Sequence, residues 1–196
     1  ILDKDGSLRS HYREVVAPLK KMEKLARRLM YHRKRRGTID FDLPEPQLTF
    51  DSEGAISGII KAKRYFSNRI IEEFMIAANE VVARALEEEC MATIYRVHNT
   101  PNPRKVKEFS DLVAQFGLRF RPRSIRPLEF QKFIDSIGGR ADSRLISYLI
   151  LRSFKQATYS TINSGHFGLA SKSYTHFTSP IRRYPDVIVH RILKSH

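Results

Sequence analysis

Gly165-His166-Phe167-Gly168-Leu169-Ala170 opens a stretch that runs through Tyr174 and His176 to Phe177-Thr-Ser-Pro-Ile-Arg-Arg-Tyr-Pro-Asp186 and closes at His190-Arg191. It is dense in groups suited to phosphate and bases. Arg182 and Arg183 are permanently charged forks that can grip phosphate oxygens in pairs. Ser179-Pro180 has the form of a helix start, with Ser as cap and Pro at the first helical position. A helix start offers free N–H groups and a positive dipole end, which also suit an anion. His166, Phe167, Tyr174, His176, Phe177 and Tyr184 supply rings on which bases can stack. Gly165 and Gly168 permit close backbone approach. The plainer reading of the same residues is a turn and an amphipathic helix with solvated arginines.

Outward from this stretch the charge is uneven. Lys and Arg number 35 against 21 Asp and Glu, a net charge of +14. Residues 1–36 carry twelve basic and four acidic side chains, and residues 137–196 nine and two. Residues 72–92 are net −5, with six Glu against one Arg. Such a basic excess suits a polyanion, nucleic acid first. A lone cysteine, Cys90, excludes an internal disulfide and a Cys-pair zinc site, which fits a reducing cytoplasm. No apolar run approaches the roughly 20 residues of a membrane span, and no secretory-signal pattern is seen. The chain starts at Ile1 and its helix-like pattern reaches Lys194-Ser195-His196, so a piece of a longer protein is expected.

Periodicity supplies the elements. Residues 1–10 read as turn and linker, and a helix is predicted from His11 to Arg36, with Pro18 early in it and Gly37 as its cap. Its terminal Arg33-Lys34-Arg35-Arg36 reads equally as a dipole-matched solvated end or as a nucleic-acid contact. Thr38–Leu43 reads as a short strand, and Gln47–Asp51 with Ala55–Ala62 as a hairpin. Asp40 and Asp42 would share a strand face, wet or metal-binding. Ser67–Met91 is the strongest helix, capped by Ser67 or Asn68. Its apolar face is Ile71, Phe74, Met75, Ala78, Val81, Val82, Ala85 and Leu86. Glu72 and Asn79 fall on another face with Ile76 and Ala83. Asn is a poor residue inside a helix, so a use for it is expected. A strand Thr93–Val97 follows, then helices from Pro103 to about Phe116, from Pro127 to about Ile137, and from Asp142 to about Thr158. The basic loop Arg119–Arg126 reads as solvated or as a guide for nucleic acid. The class is α+β, helices packed on a short-stranded curved sheet.

The stretch His166–Ala170, Tyr174 and His176–Asp186 resembles the signature of the RNB catalytic domain of the ribonuclease II / ribonuclease R family of exoribonucleases, closer to its ribonuclease R branch. Arg36–Asp42, Ile71–Asn79 and Tyr95–His98 extend the resemblance over most of the chain. It implies that residues 1–196 are the C-terminal part of one such domain, with the upstream part and flanking RNA-binding domains not present. The implied activity is processive 3′→5′ hydrolysis of single-stranded RNA to nucleoside 5′-monophosphates. The motif match makes Arg182 the catalytic arginine. It makes Glu72, Asn79, His166, Phe167, Tyr174, His176, Ser179, Arg183 and Tyr184 RNA-binding. The implied cofactor is Mg²⁺, held by an aspartate cluster. No such cluster occurs in 1–196, so the ligands are expected upstream and these residues alone are expected to be inactive. A non-catalytic RNA-binding module is the competing reading, and a basic scaffold domain a further one. No membrane partner and no oligomer are implied. Affinity for a single-stranded oligoribonucleotide should fall steeply between about 50 and 200 mM salt, because phosphate contacts release counterions. A binding constant flat over that range would contradict an electrostatic RNA surface.

Overall fold

Gly37 ends a long helix by doing what no other residue does cheaply. Its φ of 97° lies in the left-handed region, and its N–H donates to Arg33 O and Lys34 O. A Cβ there would stand 2.7 Å from the Leu128 backbone. The computed structural model describes residues 5–41 and 46–195. In chain order the elements are α1 (Gly6–His11), α2 (Arg13–Arg36), β1 (Pro46–Phe50), β2 (Ile56–Lys61), α3 (Phe66–Glu88) and β3 (Tyr95–Val97). There follow α4 (Pro103–Ala114), α5 (Pro127–Ser136), α6 (Ser143–Ser153), β4 (Thr158–Ser160) and α7 (Tyr184–Ser195). The class is α+β: seven helices among the described residues, with two antiparallel ladders, β1–β2 and β3–β4.

Several boundaries differ from the sequence reading, each for a local reason. Within 1–10, Gly6 onward is helical because Asp5 caps it, accepting from Leu8 N at 3.0 Å. Tyr12 separates α1 from α2, and Pro18 lies inside α2 without ending it. Thr38–Phe41 forms no ladder among the described residues, and Asp42 and Leu43 fall outside them. Its backbone is spent elsewhere: Ile39 N donates to Gly168 O at 2.9 Å and Asp40 N to Gln131 Oε1 at 3.1 Å. Asn68 does serve the start of α3, from inside, by accepting the Tyr65 N–H at 2.9 Å. The helix expected to reach Thr158 stops at Ser153, and Thr158–Ser160 pairs instead with Tyr95–Val97. The β-prone run Thr158-Tyr159-Ser160 was the signal for that strand.

The core lies between α4, α5 and α6. Val106, Phe109, Val113, Phe120, Phe130, Phe133, Ile137, Ile146 and Ile150 fill it. Phe167, from the motif, enters the same core and meets Phe130 and Phe154 with ring centroids 5.8 and 5.6 Å away.

Helix α3 buries Ile70, Glu73, Ile76, Asn79, Ala83 and Leu86. Of the apolar face expected for it, only Leu86 is fully buried, while Ile71 and Val81 are 53% and 60% exposed. The helix is turned by its polar residues. Glu73 faces Arg33 at 3.3 Å and Glu80 takes Arg36, so α2 locks onto α3 through charge. The arginine run ending α2 is therefore neither wholly solvated nor a free phosphate surface. Gly37→Ala is expected to lower stability by more than about 1 kcal/mol, from positive φ together with the Leu128 clash. Chemical denaturation of the two proteins measures it.

Candidate nucleic-acid interface

The motif hangs on the continuation of β3. His98 N donates to Gly165 O at 3.0 Å and Phe167 N to His98 O at 2.8 Å. His166 and Ser171 exchange both backbone hydrogen bonds, which closes the tight turn 167–170. Two imidazoles satisfy the amides inside that turn: His98 Nδ1 accepts from Gly168 N and His166 Nδ1 from Leu169 N. A Cβ on Gly168 would come within 3.0 Å of the His98 ring. Downstream, Arg96 N donates to Tyr174 O at 2.8 Å and the Thr175 hydroxyl to Ile94 O.

From Phe177 the chain leaves this strand-like course. Asn79 Oδ1 accepts both Phe177 N (2.9 Å) and Thr178 N (3.2 Å), while its Nδ2 donates to Tyr174 Oη at 3.0 Å. Asp186 Oδ1 accepts Ser179 N at 2.7 Å. The Arg183 fork closes on the same carboxylate, Nε to Oδ2 and Nη2 to Oδ1, both at 2.9 Å. Ser179 O receives the N–H groups of Arg182 and Arg183. Ser179-Pro180 thus begins a turn, and α7 starts later, at Tyr184, with Pro185 in its first turn. The Asp186 side chain reaches back to Ser179 and holds 179–183 out of the helix. Arg182 accordingly stands on the turn and not in the first helical turn, correcting the sequence expectation.

The two arginines differ. Arg183 is consumed by Asp186. Arg182 is exposed, and its guanidinium has no ion-pair or hydrogen-bond partner among the described residues. Tyr184 next to it is 68% exposed. Arg183, from the same turn, lines an open cleft of about 430 Å³ together with Ser67, Asn68, Ile71, Glu72, Met75, Ile76, Asn79 and Tyr174. It unites Glu72 and Asn79 of α3 with Tyr174 and Arg183, about 100 residues further on. Glu72 is half-exposed there and ion-paired with Arg64.

The other named residues lie elsewhere or are spent. His166 and Phe167 line a separate groove of about 700 Å³ with Arg126 and Lys172. Phe167 and Tyr174 are buried, and Ser179 is buried with its N–H taken. His176 shares its Nδ1 with Tyr159 Oη at 2.7 Å. Arg96 lies over the Tyr159 ring, 4.7 Å from its centroid. Sequence reasoning missed Arg64, Arg96 and Tyr159. It passed over Asp186, although Asp three residues after Arg183 on a helix start is a pairing signal. Burial, then the nearby Arg183, pushes the His176 pKa down to about 4. Burial, then His98 and Arg96, pushes His166 down to about 3. Among the described residues no group of three or more His, Cys, Asp or Glu could hold a metal ion, so Mg²⁺ has no fitted site in them. Nor is any described helix long and apolar enough to cross a membrane.

The RNB domain family matches residues 2–196. Ribonuclease R of Aquifex aeolicus is 45% identical over 191 residues, covering 97% of this chain and 27% of that protein. The structure of Mycoplasma genitalium RNase R in complex with ribose-methylated single-stranded RNA superposes with a TM-score of 0.89. It has 30% identity and covers 93% of this chain and 29% of that one. Yeast Ssd1, described as a pseudonuclease, superposes with a TM-score of 0.61 at 27% identity, covering 68% of this chain and 17% of its own. This chain thus spans under a third of the length of each of these relatives.

The two histidines set a pH dependence. An unfolded imidazole takes up its proton near pH 6.5, whereas the folded His176 and His166 do so only near 4 and 3. Below about pH 6.5 the unfolded chain binds more protons, so stability should fall as pH drops. Buried Glu73, raised above its ordinary pKa by burial, pulls the other way as pH rises from 4.5. The melting temperature should be lower at pH 5 than at pH 7, and the gap should shrink in His166→Gln and His176→Gln.

Proposed function

The chain belongs to the RNB domain family, and from that premise we propose that it is the C-terminal part of the catalytic domain of a 3′→5′ exoribonuclease acting on single-stranded RNA. The observation that carries the proposal is the contrast between Arg182 and Arg183. One guanidinium is neutralised by a buried carboxylate, while its neighbour is held out, charged and unpartnered, on a turn beside the cleft. A protein that needed only a basic surface would have no use for that division.

Arg182 is then the residue that meets the scissile phosphate. As phosphoryl transfer proceeds, negative charge grows on the phosphate oxygens, and a guanidinium already in place stabilises it without reorganising. Glu72, steadied by Arg64, accepts a hydrogen bond from a hydroxyl of the 3′-terminal ribose, the group that separates RNA from DNA. Tyr184 offers a free ring for a base. His166, Phe167, Tyr174, His176, Ser179, Asn79 and Arg183 serve RNA indirectly, by holding this surface in shape, and add little direct affinity of their own. Among the described residues no group of three or more His, Cys, Asp or Glu could hold a metal ion. Hydrolysis to nucleoside 5′-monophosphates and a Mg²⁺ requirement belong to the complete protein, whose metal ligands we place outside this chain. The exposed, unpaired Cys90 suits a reducing cytoplasm.

A non-catalytic RNA-binding module is the second reading. The absence of a metal cluster among the described residues and the likeness to a pseudonuclease favour it.

Arg182 separates the two readings. In the complete protein Arg182→Ala should slow single-turnover cleavage on the order of 10²–10³-fold. Affinity for RNA should change little, because other phosphate contacts remain. Arg182→Lys should also be impaired, since an ammonium keeps the charge and loses the two-pronged geometry. Loss of affinity in proportion to rate would make Arg182 an ordinary binding contact. RNA binding with no cleavage by the wild type would establish the second reading.

A further inference from the structure

We propose that Asn79 and Asp186 are positioning residues for Arg182, acting from two helices on the backbone that carries it. This rests on the reading of Arg182 as the group that meets the scissile phosphate.

Three consecutive amides, Phe177, Thr178 and Ser179, donate to side-chain oxygens rather than to backbone or solvent. In an extended strand successive N–H groups point to opposite sides. Two adjacent amides converge on one oxygen only where the chain bends between them. Asn79 Oδ1 therefore fixes the bend at 177–178 from α3, and Asp186 Oδ1 fixes its continuation at 179 from α7. Between this anchored start and Tyr184 lies the turn Ser179–Arg183, closed by two hydrogen bonds onto Ser179 O. Arg183 ties its far end back to Asp186. Arg182 is the charged side chain left over, with a fixed backbone and a free head.

The orientation of the Asn79 amide is itself determined. Its Nδ2 donates to Tyr174 Oη, so the oxygen and not the NH₂ group faces the two backbone donors. Asn79 is 2% exposed, with both polar atoms occupied. An asparagine two turns along from Glu72 inside a helix reads from sequence as a ligand-facing group. Its burial assigns it to the loop instead.

The test uses the complete ribonuclease with a single-stranded oligoribonucleotide, measuring single-turnover rate and RNA affinity in wild-type and Arg182→Ala backgrounds. Asn79→Ala should slow cleavage on the order of 10–100-fold, the penalty for misplacing a catalytic group by about 1 Å, with affinity nearly unchanged. In the Arg182→Ala background the same substitution should have almost no effect on rate. Asn79→Asp should recover most of the loss, because its carboxylate accepts both amides and the Tyr174 hydroxyl can turn to donate. Tyr174→Phe removes only the oxygen that orients Asn79, so it tests the same link if Asn79→Ala does not fold. It should slow cleavage severalfold, and only where Arg182 is present. An undiminished loss in the Arg182→Ala background, for either variant, would overturn the inference, as would a wild-type rate in folded Asn79→Ala. A wild-type rate for Arg182→Ala itself would sink the functional reading and the inference together.

Discussion

Asp186 is a carboxylate with no exposed surface, and the site is arranged around keeping it satisfied. Burying an ion unpaired is prohibitive, so its oxygens must be supplied with donors. Here they receive both prongs of Arg183 and the Ser179 amide, which obliges the chain from 179 to 186 to fold back on itself. Removing one partner of such a pair typically costs about 3–5 kcal/mol, which makes the geometry hard to deform. One of two adjacent arginines is thereby committed to structure and the other excluded from it.

The same logic runs along α3. Its buried side carries Glu73 and Asn79, residues that would normally face water, because each meets a partner that also needs one. Glu73 faces Arg33 on α2, and Asn79 takes two loop amides. Helix α3 thus joins the basic helix on one side to the arginine turn on the other. The Ile71 and Val81 side, which a hydrophobic count would bury, is left outward.

Much of the architecture was legible in the sequence. Gly37, Pro103 and Pro127 marked helix ends through conformational constraints that act locally. The β1–β2 hairpin followed from its two runs and the Ser52-Glu53-Gly54 turn between them. The orientation of α3 was not legible, because its partners lie in sequence about 40 and 100 residues away, at Arg33 and Phe177-Thr178. For the same reason the helix-start form of Ser179-Pro180 gives way to the turn of the plainer reading: a local capping pattern is overruled by a carboxylate seven residues on. The rings of Phe167 and Tyr174 read as stacking platforms, since nothing local says that a ring faces inward. The free Arg182 could be named from its motif, but the sequence did not show why Arg183 is not its equal.

Phe167 brings these observations to a dynamic consequence. The motif does not rest on the α4–α6 core as a lid would; one of its own rings is among the side chains that complete that core. Opening the loop means withdrawing Phe167 from between Phe130 and Phe154, which exposes the core itself. Loop and core therefore belong to one cooperative unit, at the resistant end of the range of local opening energies. Such a surface is a rigid template. Changes deep in the core will be felt at the 165–171 turn as surely as changes beside it.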